Sequence, residues 1–197
     1  MSFALSLVIL AGGKSSRMGA DKAFVKVGGV PIVERVIAGL AGYGAETIVI
    51  TNSPDDYRHL GLRLFADVLP DKGALGGLYS ALHSASGTHA LVVACDMPFV
   101  NRPLIDHLIA LAPDFDAVVP RLGGEAEPFR AVYAKACLAP IRAALDAGKM
   151  RVISFFPDVR ARFVDEAEID RFDPDRLTFF NVNTPDDLAR AEELALA

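Results

Sequence analysis

Cysteine is nearly missing from this chain: Cys95 and Cys137 are the only two in 197 residues, without metal-type spacing and too few for a disulfide framework. That scarcity excludes a stapled secreted scaffold, fits a reducing cytosol, and makes both thiols expected core residues. No apolar run is long enough to cross a bilayer, so a cytoplasmic protein without a membrane partner is expected. The apolar start from Ser2 to Leu10 has no basic segment ahead of it and runs straight into glycines, which reads as a strand and not as a signal peptide. Positive charge is in deficit: 20 Lys and Arg against 25 Asp and Glu leave a net charge of -5. That balance excludes general nucleic-acid binding, though a nucleotide in one local basic pocket remains compatible. Like-charge blocks, low-complexity tracts, Ser-rich linkers and internal repeats are all missing. With 52% hydrophobic and 23% charged residues, the expectation is one globular domain over residues 1–197.

What is present is concentrated at the start. Leu5 to Leu10 is a continuous apolar run, as in a strand covered on both faces. It feeds into Ala11, Gly12 and Gly13, whose bare backbone N–H groups allow a phosphate chain to approach, with Lys14, Arg17 and Lys22 adding charge at the same point. At the carboxyl end of a first strand this combination reads as a phosphate site. Two better-known glycine motifs fail on spacing. Gly12, Gly13 and Gly19 do not make the dinucleotide fingerprint G-x-G-x-x-G, and Gly19-Ala20-Asp21-Lys22 does not make the P-loop.

The remaining order is strand, helix, strand, as in an open α/β sheet. Pro31 to Leu40 has helical spacing with Pro31 in its first turn, and Gly42 and Gly44 end it. Strands are expected at Glu46–Thr51 and Leu62–Ala66, the latter ending at Asp67, with a turn or helix start at Ser53–Asp56 between them. Gly73-Ala74-Leu75-Gly76-Gly77 precedes a helix; its glycines serve either a ligand or close packing of that helix on the sheet. Ala90 to Cys95 is a buried strand that stops at Asp96-Met97-Pro98, which sets a carboxylate at the rim where open α/β sheets bind ligands. Asp96 is the metal candidate, since Mg²⁺ is commonly held by one or two carboxylates plus substrate phosphates. Its bland alternative is capping the helix that starts near Arg102-Pro103.

Beyond a helix at Leu104–Leu111 and a strand at Ala117–Pro120, Gly123-Gly124 turns the chain into Glu127–Arg130, and short antiparallel pieces are expected to replace the alternation. A helix over Leu138–Ala147 and an edge strand over Val159–Val164 follow. Arg130, Lys149 and Arg151 are candidates for an anionic acceptor, or ordinary surface cations. Thr184, Pro185, Asp186 and Asp187 have the composition of a helix N-terminus, which leaves Asn181 and Asn183 unexplained.

LAGGKSSRMGADK resembles the L-A-G-G-x-S-x-R-M-G-x-D-K motif of the molybdenum cofactor guanylyltransferases, a branch of the nucleotidyltransferases. The likeness continues through Cys95-Asp96-Met97-Pro98 (C-D-x-P), Pro128, Ala131 and Tyr133, and the F-x-N-x-N-T-P segment up to Asp187. Ala74 and Gly76 depart from the family's G-P-L-A-G. The resemblance implies a Rossmann-like three-layer αβα sandwich with a mostly parallel sheet, of the nucleotide-diphospho-sugar transferase type. Residues 1–120 would bind nucleotide and residues 121–197 the acceptor. It implies transfer of GMP from GTP to the terminal phosphate of molybdopterin, dependent on Mg²⁺, with apo-molybdoenzymes or their chaperones as protein partners. Carried over by motif, Arg17, Lys22 and Asp96 are the catalytic set, with Asp96 the metal ligand. Leu10, Ala11, Gly12, Gly13, Lys22, Thr51, Asn52, Asp67, Gly76 and Asp96 line the nucleotide, and Arg130, Asn181 and Asn183 the acceptor. The rival activities are a cytidylyltransferase for the same cofactor and a sugar-phosphate nucleotidyltransferase, whose motifs more often read L-A-A-G and G-D-x-P. A catalytically silent nucleotide or cofactor carrier is the alternative of another class.

Overall fold

A computed structural model of the chain describes residues 3–11 and 22–196. In chain order the elements are β1 (Leu5–Leu10), the hairpin β2 (Lys26–Val27) and β3 (Val30–Pro31), α1 (Ile32–Gly39), β4 (Glu46–Ile50), α2 (Pro54–Tyr57) and β5 (Arg63–Phe65). Then come α3 (Gly73–Ser84), β6 (His89–Ala94), α4 (Arg102–Leu111), β7 (Ala117–Leu122), β8 (Glu125–Ala126) and β9 (Arg130–Ala134). The chain ends with α5 (Leu138–Asp146), β10 (Ala161–Val164), α6 (Glu166–Ile169) and α7 (Pro185–Leu196).

The central sheet runs β10-β7-β9-β6-β1-β4-β5, with β8 hydrogen-bonded to β7. β1 pairs in parallel with both β4 and β6, and β4 with β5, so four neighbouring strands end at one edge. β9 is antiparallel to both strands it separates, β6 and β7, whereas β10 pairs in parallel with β7 as an edge strand. The later part of the chain therefore shares the same sheet, and one antiparallel strand sits in its interior.

Alternation of apolar side chains sends the sheet into two cores. Leu7 and Ile9 face Ile32, Val33 and Val36 of α1 and Leu104, Ile105 and Leu108 of α4. Val8 and Ile48 face Leu75, Leu78 and Leu82 of α3 and Ile141 and Leu145 of α5. Both strand faces are covered, which is why β1 reads as an unbroken hydrophobic run. The result is a three-layer αβα sandwich with a mostly parallel sheet.

Two local readings change. Pro31 closes the β2–β3 hairpin and precedes α1 instead of sitting in its first turn. The Gly73–Gly77 cluster is the start of α3 and not a loop ahead of it. A Cβ on Gly76 would come within 2.5 Å of Lys72 Cβ, and its N–H donates to the Lys72 carbonyl at 3.1 Å, so the turn entering α3 leaves no room for a side chain here. The α7 start is as the composition suggests. Thr184 Oγ1 accepts from Asp187 N while Asp187 Oδ2 accepts from Thr184 N, a reciprocal capping box.

Candidate active site

Four parallel strands deliver their last residues to one rim. Ala11 N–H, just past β1, donates to the Ile50 carbonyl of β4 at 2.9 Å, and Thr51 N–H donates to Phe65 of β5 at 2.8 Å. On the other side Cys95 N–H donates to the Leu10 carbonyl at 3.2 Å. Leu10, Ala11, Thr51, Asn52, Asp67 and Asp96 are thereby brought to consecutive strand ends, the usual ligand position of such sheets. Gly12, Gly13, Lys14 and Arg17 lie outside the described residues.

At the β4–β5 corner, Asn52 and Asp67 bind reciprocally. Asn52 Nδ2 donates to Asp67 Oδ2 at 2.9 Å, and Asp67 N–H donates to Asn52 Oδ1 at 3.0 Å. Thr51, buried, accepts from Ser53 N–H through its hydroxyl. This leaves Asp67 Oδ1 buried and without a hydrogen-bond partner among the described residues. A carboxylate fixed in one orientation with one oxygen unspent is built to accept from a ligand's N–H or O–H groups.

Asp96 lies beyond β6 in a different environment. Its Oδ1 is also buried and unpartnered among the described residues. Burial raises its pKa above the usual carboxylate range, against the opposing pull of its own backbone N–H and the positive charges of Lys22 and Arg130. It does not cap α4: Asn101 does, accepting from Leu104 N–H at 3.0 Å, which removes the bland reading of Asp96. Among the described residues no group of three or more His, Cys, Asp or Glu is placed to hold a metal. One buried, unspent carboxylate oxygen beside a substrate-binding rim nevertheless fits a Mg²⁺ ion that completes its shell with water and phosphate oxygens.

Two site residues that are 161 positions apart in sequence meet directly. Lys22 Nζ donates to Asn183 Oδ1 at 2.7 Å, and Val182 N–H donates to the Asp96 carbonyl at 2.9 Å. The 180–183 segment thus ties the exit of the glycine loop to the Asp96 turn. Asn181 is turned back on its own backbone, its Nδ2 donating to Phe179 O at 3.2 Å.

Arg130 is not the ordinary surface cation that its sequence context allowed. It is 0% exposed, in β9, with Nη2 donating to the Met97 carbonyl at 2.8 Å. Burial pulls its guanidinium down to about 10, with Asp96 and then Asp173 acting to restore it. Lys149 and Arg151 are exposed. Sequence reasoning also missed Glu127. β9 pairs with β6 so that Arg130 stands opposite Val93 at the end of the ladder, and Glu127, just ahead of β9, comes close enough to Asp96 for the two charges to act on each other. Burial, then Glu125 and Asp96, raises the Glu127 pKa. No local pattern could have flagged this residue, because its place depends on which strand lies beside β6.

Among the described residues a cavity of about 550 Å³ lies between α1 and residues 98–101 and 173–178; Asn101 and Asp173 line it, and Asp67, Asp96, Lys22 and Asn183 do not.

The chain matches the family profile described as "MobA-like NTP transferase domain" over residues 7–161. The chain belongs to the MobA-like NTP transferase family. It is a nucleotidyltransferase. A relative from Pelotomaculum thermopropionicum, named probable molybdenum cofactor guanylyltransferase, is 40% identical over 188 residues, covering 95% of this chain and 92% of that protein. Among solved structures, molybdopterin-guanine dinucleotide biosynthesis protein A from Archaeoglobus fulgidus superposes with a TM-score of 0.84 at 26% identity, covering 97% of this chain and 98% of that one. The 2-C-methyl-D-erythritol 4-phosphate cytidylyltransferase from Thermus thermophilus, with a TM-score of 0.71 and 20% identity over 96% of this chain and 98% of that one, shares the fold.

Proposed function

We propose that this protein is a molybdenum cofactor guanylyltransferase, which transfers GMP from GTP to the terminal phosphate of molybdopterin with Mg²⁺ and releases pyrophosphate. The observation that carries the reading is the 40% identity, over nearly the whole of both chains, to a relative whose name states that activity. The rim supports it with one carboxylate suited to a metal and another suited to a nucleobase.

An oxygen of the acceptor phosphate attacks the α-phosphorus of GTP, and the bond from that phosphorus to the bridging oxygen breaks as pyrophosphate leaves. The acceptor is already an anion, so no general base is required, and catalysis reduces to in-line positioning and neutralisation of charge. Lys22, steered by Asn183, offers an ammonium to the triphosphate. Gly12 and Gly13 would bring backbone N–H groups and Arg17 would add charge, while the Ala11 N–H is already held by the Ile50 carbonyl. Asp67, its orientation locked by Asn52, would accept from the ring N–H and exocyclic amine of guanine, and a ribose hydroxyl would fit there as well. Asp96 would hold Mg²⁺, which when bound neutralises charge on the phosphates and leaving group. Asn181 and Asn183 sit beside the acceptor.

The test offers each NTP in turn with molybdopterin and Mg²⁺ and measures pyrophosphate. GTP is expected to be used best. CTP surpassing GTP would assign a cytidylyltransferase instead, and nucleotide binding without pyrophosphate from any NTP would assign a silent carrier.

A further inference from the structure

The Asp96-Met97 turn is held at two successive carbonyls by two elements far apart in sequence. The Asp96 carbonyl accepts from Val182 N–H at 2.9 Å, and the Met97 carbonyl accepts from Arg130 Nη2 at 2.8 Å. One clamp comes from the C-terminal segment that also steers Lys22, the other from the antiparallel strand β9. Fixing both carbonyls fixes the two peptide planes around the Cα of Met97, the first of which also carries the Cα of Asp96, and so holds the turn on which the Asp96 side chain stands.

Arg130 is a costly way to make such a contact. It is fully buried, yet its Nε and Nη1 are buried with no partner among the described residues, and no carboxylate of those residues lies within 4 Å as an ion pair. A buried guanidinium with one hydrogen bond contributes poorly to stability, and an apolar residue of similar size would serve the core as well or better. The neighbours of Arg130 along the same sheet face, Val132 and Val118, are apolar. What Arg130 does that a leucine or methionine cannot is reach the Met97 carbonyl beneath the rim.

We propose that Arg130 is a positioning residue for nucleotidyl transfer: through the Met97 carbonyl it sets the Asp96 carboxylate in the place where a divalent cation accompanying the nucleotide is received. This rests on the reading of Asp96 as the metal-bearing carboxylate. Two consequences of removing Arg130 have opposite signs. Loss of its charge by itself would strengthen cation binding at Asp96, while loss of the fixed turn would weaken it, so the sign of the change separates positioning from simple electrostatics.

The experiment measures Mn²⁺ bound to the nucleotide complex, by the loss of the free-Mn²⁺ electron paramagnetic resonance signal, in the full-length wild type, Arg130→Met and Arg130→Lys, with a non-hydrolysable GTP analogue present. Folding is checked by melting. Arg130→Met is expected to weaken Mn²⁺ about tenfold and to lower kcat more than the KM for nucleotide. Arg130→Lys, which keeps a donor of similar reach, is expected to stay within about threefold of wild type, and it carries the test alone if the methionine variant does not fold. Unchanged or tighter Mn²⁺ binding in a folded Arg130→Met protein overturns the proposal, as does a tenfold loss in a folded Arg130→Lys protein. The readout needs no acceptor and no turnover. A wild type that binds Mn²⁺ with the analogue but releases no pyrophosphate defeats the proposed function without deciding the role of Arg130.

Discussion

Asp67 and Asp96 each follow a parallel strand and each keep one buried oxygen unspent, but their surroundings differ. Asp67 is held by a neutral carboxamide in a two-way hydrogen-bonded pair, which fixes direction. Asp96 stands among charges, with Lys22 and Arg130 close enough to act on it and Glu127 close enough to be acted on by it, while the turn is anchored from two sides. Directional hydrogen bonding suits recognition of a base edge. A desolvated carboxylate among charges suits neutralisation of a polyphosphate. The difference teaches that position at a strand end does not assign a role; the neighbours supplied by other strands do.

The comparison breaks most sharply at Asp96. Asp96→Asn is expected to lower kcat by about 10²–10³, the range for losing one preorganised electrostatic contact, and a Mg²⁺ titration of the variant checks it. Full Mg²⁺-dependent activity in that variant would remove the metal role. Lys22→Ala should fall in the same range and leave the melting curve largely in place, because the Lys22–Asn183 bond is exposed. Next in size, Asp67→Asn should erode discrimination of GTP from other NTPs about 10- to 100-fold with little loss of kcat, read from competing substrates.

Smaller effects test the scaffold and its electrostatics. Gly76→Ala should destabilise by about 1–3 kcal/mol through overpacking against Lys72, measured by denaturant unfolding. Burial raises the Asp96 pKa in the folded protein above its unfolded value, so ionising Asp96 costs stability. That cost is absent below the unfolded pKa and fully present once the pH exceeds the folded one. Asp96→Asn should therefore melt higher near neutral pH, with the gain vanishing in acid, as melting curves across pH would read. Lys149→Ala with Arg151→Ala should raise the acceptor KM less than about threefold, since both are exposed.

The sequence by itself determined β1, β4 and β6, because a strand buried on both faces must be apolar throughout, and it determined the capping box at Thr184, because that contact spans only a few residues. It also determined that Asp96 ends a buried strand, since a carboxylate after such a run has only the rim to occupy. Tertiary structure decided that β9 slips in antiparallel beside β6, which buries Arg130 under the Asp96 turn and brings Glu127 within electrostatic reach of it. It decided that Lys22 meets Asn183 and that Asn52 turns to Asp67. Strand order and register are set by packing across the whole sheet, and local pattern carries no record of them: an arginine in a strand reads the same whether it faces water or, as Arg130 does, a single carbonyl in the core.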